Sequence, residues 1–113
     1  MKQALVVVAV LAGALWPATG RAQLPVSQVV LENASVRITV LTFAPGGATG
    51  RHQGIEAEIG IVIEGQLTVE SPTGRQSLQP SGVYWMPGLT PHDVRNESNR
   101  PAKLWDIFLK RCD

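Results

Sequence analysis

After an almost wholly apolar run over residues 4–16, the chain changes to short segments in which β-branched residues alternate with polar ones. Residues 35–43 set Val36, Ile38 and Val40 against Arg37, Thr39 and Leu41, the period of two that a strand requires. The same reasoning predicts strands over 24–32, 58–64, 67–70, 75–79, 83–86, 92–97 and 102–110. Glycine and proline punctuate these segments at 44–50, Gly65-Gln66, 71–74, 80–82 and 87–91, and each cluster reads as a turn or loop. No stretch after residue 22 has helical periodicity. Short strands at even spacing predict an all-β fold, a small antiparallel barrel or sandwich, with Trp85 and Trp105 in its core.

The opening apolar run changes the account of the domain. A positive start at Lys2, the apolar stretch and the small residues Gly20 and Ala22 have the layout of a secretory signal peptide cleaved after Ala22. The apolar run is shorter than the roughly 20 residues a spanning helix needs, so no integral span is expected after cleavage. This predicts an exported protein, periplasmic or secreted, with one domain over 23–113. Cleavage removes Lys2 and Arg21 from ten basic residues and none of nine acidic ones, which leaves the mature chain near neutrality. That balance excludes nucleic acid as an expected partner, since no basic patch is available to hold a phosphate backbone. The lone cysteine, Cys112, cannot form an internal disulfide and reads as a tail thiol. A mature chain of this size buries a thin core, and homodimerisation is one way to bury more.

Candidate chemistry is concentrated between Pro45 and Gly65. A glycine-rich loop with Gly46, Gly47 and Gly50 leads to His52, Glu56 and Glu58, and the other histidine, His92, follows a second proline- and glycine-rich turn. If the segment is extended, 52, 54, 56 and 58 share one face, which aligns His52 with Glu56 and Glu58. Asn96 shares a face with His92 by the same count. Burying an imidazole with carboxylates is costly unless they hold a metal or form dense hydrogen bonds. Two histidines and one carboxylate suit divalent iron, manganese, nickel or zinc. Glu64 and Glu70 read as solvent-facing positions.

These residues resemble the cupin family. Its first motif places a glycine, a His-x-His pair, a glutamate and a glycine at intervals that Gly46, His52, Glu58 and Gly65 match. Its second motif, Pro-x-Gly-x-x-His followed by an asparagine, is matched by Pro87, His92 and Asn96. The resemblance spans about 35–109 and implies a double-stranded β-helix jelly roll, with His52, Glu58 and His92 as metal ligands. Two departures stand out. Gly54 replaces the second histidine of the pair, leaving Glu56 or a water as candidates for the fourth place, and Leu89 stands where the second motif has glycine.

Three functions follow from these residues. One is a metal-dependent enzyme acting on a small polar molecule, with Glu56 or Tyr84 available for proton transfer and Tyr84 and Asn96 contacting the ligand. Another is a non-catalytic module that binds a small molecule or partner through a degenerate or empty metal site. The third is a barrel whose role is dimerisation. The sequence alone leaves the substrate and the reaction open.

Overall fold

The protein was analysed as a computed structural model, which describes residues 22–111. The signal-peptide segment and Cys112 lie outside the described residues, apart from Ala22. The strands are β1 (Val26–Glu32), β2 (Val36–Phe43), β3 (Ala57–Glu64), β4 (Leu67–Ser71), β5 (Gly74–Leu78), β6 (Val83–Met86), β7 (Asp93–Arg95) and β8 (Ala102–Leu109). Each expected strand is present, within a few residues of its expected ends.

The strands form two antiparallel sheets, one ordered β1-β2-β8-β3-β6 and the other β5-β4-β7. In the larger sheet β8 lies between β2 and β3, pairing Val36 with Leu109 and Phe43 with Ala102 on one side, and Ala57 with Leu109 and Val62 with Leu104 on the other. The smaller sheet is closed by the tight turn at Ser71-Gly74, where Ser71 faces Gly74 across the hairpin. Phe43, Val62, Leu67, Val69, Leu78, Tyr84, Met86, Val94, Ala102 and Leu104 make the core between the sheets. Their burial supplies the hydrophobic drive that holds two small sheets together. Among the described residues, no helix is long and apolar enough to cross a membrane.

The direction each alternating strand faces decides where the chemistry sits. In β3 the buried positions are Glu58, Gly60 and Val62, while Ile59 and Ile61 are half-buried on the outer face and Ile63 is exposed. β6 buries Tyr84 and Met86 and turns Val83 and Trp85 outward. In β8, Leu104 and Asp106 are inward and Trp105 is outward. Trp85 and Trp105 are therefore 57 % and 40 % exposed, which corrects the expectation that both are core residues. The physical reason is phase: next to Tyr84 and Met86, and next to Leu104, a period of two places these indoles on the opposite face.

Candidate metal and ligand site

The loop over 44–50 is fastened to β7 by its backbone. Gly46 N–H donates to Asn96 O, Asn96 N–H to Gly47 O, and Thr49 N–H to Val94 O, at 2.8 to 2.9 Å. Gly46 and Gly50 have φ of 78° and 81°, a left-handed conformation that glycine adopts without the steric cost of a side chain. This lacing sets His52 against His92, which exchange backbone hydrogen bonds of 2.9 Å in both directions. Their rings lie 4.3 Å apart between centroids. The two halves of the sequence pattern thus meet.

Each imidazole is anchored through Nδ1. His52 Nδ1 is 2.8 Å from Gly50 O, and His92 Nδ1 is 2.8 Å from Thr90 O. A carbonyl can only accept, so Nδ1 carries the hydrogen and the neutral ring leaves a lone pair on Nε2. His52 is exposed, whereas His92 is buried. Among the described residues His92 Nε2 has no hydrogen-bond partner, and it stands 3.6 Å from Glu58 Oε1. Two acceptors facing each other in a buried site call for a proton or a cation between them.

Glu58 is also held by Tyr84, whose hydroxyl donates to Oε2 at 2.9 Å. Room for that ring comes from Gly60, directly across the ladder from Tyr84, because a Cβ at Gly60 would run into it. Burial alone would raise the Glu58 carboxyl, but the polar groups of His92 and Asp106 beside it and the Tyr84 hydroxyl outweigh that and hold the pKa below the ordinary carboxylate range. Burial opposes charge on His92 as well, yet Glu58 and the Thr90 carbonyl prevail and raise it. Tyr84 is raised well above the usual phenol value by burial and by the charges of Asp106 and Glu58, so it remains a hydrogen-bond donor.

Asp106 was missed in the sequence. It pairs across the ladder with Gly60, is buried, and has no hydrogen-bond partner for Oδ1 among the described residues. Burial and the neighbouring Glu58 push its pKa up to about 9, which makes it a neutral acid at physiological pH. Its signal was its phase, two residues from the core residue Leu104.

The sequence-predicted residues divide. Glu58, Tyr84 and His52 line a cavity of about 430 Å³ together with Arg37, Thr39, Asp106 and Phe108, and His92 lies behind Glu58. Glu56 does not align with them. The chain over 53–56 is irregular before β3 begins, and Glu56 Oε1 instead accepts from Arg37 Nη2 at 3.2 Å. Asn96 is fully engaged within the loops: Nδ2 donates to Arg100 O at 2.7 Å and Ala44 O at 3.2 Å, and Oδ1 accepts from Ser98 Oγ at 2.7 Å and Ser98 N–H at 3.1 Å. It clamps the loops and does not line the cavity.

The donor chemistry of His92 and Glu58 fits a divalent ion, through a buried, unpartnered imidazole nitrogen beside a carboxylate oxygen. His52 offers a second imidazole nitrogen, at an exposed position. Among the described residues, however, no three His, Cys, Asp or Glu side chains converge as one ion would require.

The Cupin domain model matches residues 39–108, most of the described barrel. The chain belongs to the cupin family. A curated relative, the beta-alanine degradation protein BauB of Pseudomonas aeruginosa, is 35 % identical over 95 residues, covering 81 % of this chain and 99 % of BauB. Among solved structures, a cupin-domain protein of Bordetella pertussis Tohama I is similar at 26 % identity with a TM-score of 0.69, over 81 % of this chain and 99 % of that one. A protein of Thermus thermophilus, 24 % identical with a TM-score of 0.72 over 79 % and 86 % of the two chains, shares the fold. The jelly roll expected from the two motifs is thus the fold of this cupin.

Proposed function

We propose that this cupin uses its cavity to act on a small polar molecule with the help of a divalent metal, held by His92 and Glu58 with His52 as third donor. The observation that carries the reading is the buried Nε2 of His92, unpartnered and facing Glu58 while Nδ1 is tied to Thr90 O. That second tie is the backbone support that metal-binding imidazoles usually have. Iron, manganese, nickel or zinc bound there would polarise a ligand oxygen as a Lewis acid or activate oxygen. Tyr84 and neutral Asp106 would donate hydrogen bonds within the cavity, and the apolar wall of Leu41, Val94 and Phe108 would limit water. The likeness to BauB supports a small catabolic ligand of the size of beta-alanine.

Elemental analysis of the purified protein, before and after incubation with each metal, tests this reading. About one metal ion per chain is expected, with loss in His92→Ala. A wild type that is metal-free and takes up none of the four would sink it. A second reading, a non-catalytic binding module, is favoured by the lack of three convergent donors among the described residues. It predicts a ligand-induced rise in melting temperature that survives both chelator and His92→Ala. We also propose export with removal of residues 1–22, tested by N-terminal sequencing of the protein from the cell envelope and medium; an intact Met1 there would refute it.

A further inference from the structure

Arg37 lines the same cavity and has no part in the motifs that define the family. It is an inward position of β2, in phase with Thr39 and Leu41, which also line the cavity. Among the described lining residues it is the one permanent cation. Its guanidinium lies over the Phe108 ring, 4.6 Å from the centroid. Stacking of this kind holds the planar fork flat and leaves its edge of N–H donors available.

That edge is lightly used. A guanidinium has five N–H donors, and among the described residues one of those of Arg37 is used, reaching Glu56 Oε1 at 3.2 Å. Glu32 is 4.0 Å away, beyond hydrogen-bond distance, and is itself bonded by Lys110 Nζ at 2.9 Å. Glu56 is thus a single-contact partner at a partly exposed position. An incoming carboxylate could make the bidentate contact that Glu56 does not. The other polar lining differs in character: Glu58, Asp106, Tyr84 and His52 supply carboxyl oxygens, a phenol and an imidazole. A second anion would meet the Glu58 carboxylate, whereas an ammonium or hydroxyl group would find partners.

We propose that Arg37 anchors the carboxylate of the ligand, so that the site selects small monocarboxylates whose far end carries an amino or hydroxyl group. This rests on the cavity being the ligand site. It does not require the metal. Glu56 then acts as a competitor that holds the guanidinium in place until the ligand arrives.

The test is calorimetric titration of the purified protein with beta-alanine, 3-hydroxypropionate, beta-alaninamide and succinate, run once with EDTA and once after loading with manganese. Beta-alanine and 3-hydroxypropionate should bind at least tenfold more tightly than the amide or the dicarboxylate. Arg37→Gln should abolish the preference for acid over amide. Glu56→Gln keeps the arginine and removes its competitor, so it should strengthen acid binding and not amide binding, and it reports even if Arg37→Gln does not fold. Equal affinity for acid and amide in the wild type, no binding of either acid, an unchanged preference in Arg37→Gln, or weakened acid binding in Glu56→Gln would each overturn the assignment. A protein that takes no metal yet prefers the acid refutes the metal reading alone. One that takes metal without that preference refutes the role of Arg37 alone.

Discussion

Replacing Asp106 with asparagine should stabilise this cupin at neutral pH. The side chain is 6 % exposed, and its pKa in the folded protein is about 9. In the unfolded chain an aspartate titrates near about 3.9. Between those values the folded state holds a proton that the unfolded state has released, so stability falls as pH rises, by about 1.4 kcal/mol per unit. Below about pH 4 both states are protonated and the contribution is absent; above about pH 9 both are ionised and it no longer changes. At pH 7 the penalty is on the order of 4 kcal/mol, the three units between 3.9 and 7 multiplied by that slope. Asparagine has the same shape, keeps donors toward Glu58 and does not titrate. Metal-free Asp106→Asn should therefore melt at least 5 °C above wild type at pH 7, taking roughly 4–8 °C per kcal/mol for a domain of this size. The two curves should converge toward pH 4. Equal or lower stability at pH 7, or a difference that does not change with pH, would show that Asp106 is ionised in the fold and refute the reasoning.

Other substitutions probe the supports of the site. Gly60→Ala should displace the Tyr84 ring from Glu58 and cost about 3–5 kcal/mol in urea unfolding, combining overpacking with a lost bond to a buried carboxylate. Tyr84 is the lone tyrosine, so its ionisation can be followed by absorbance and should move back toward the ordinary phenol value in that variant. Asn96→Ala frees the Ala44 and Arg100 carbonyls and should cost about 2–4 kcal/mol while the protein stays metal-competent, checked by melting and elemental analysis. At Gly54 a Cβ meets nothing within 4 Å, so Gly54→His should fold and bind zinc at least tenfold more tightly, about 1.4 kcal/mol, in a competitive chelator titration.

Local chemistry made much of the fold legible. Turn residues at Gly65, Ser71-Gly74 and Pro80-Gly82 and the period-two alternation between them placed the strands, because both depend on neighbours along the chain. His52 and His92 could be paired in advance because the motifs that flank them are local too. Glu56 could not be placed: its alignment with Glu58 assumed an extended segment, and the chain is irregular there. Asn96 carried the right motif position, but the carbonyls it binds belong to Phe43, Ala44 and Arg100, which only folding brings near.

The deepest difference concerns faces. Alternation in β2, β3, β6 and β8 is plain in the sequence, and it determined by itself which residues travel together: Arg37 with Thr39 and Leu41, Glu58 with Gly60 and Val62, Tyr84 with Met86, Leu104 with Asp106. Which set turns inward was decided by the tertiary structure. The inner surface of this barrel carries the acids, the tyrosine and the arginine, while Ile63, Val83, Trp85 and Trp105 lie exposed. A period of two has the same strength on either face, so only the packing of one sheet against the other could choose between them.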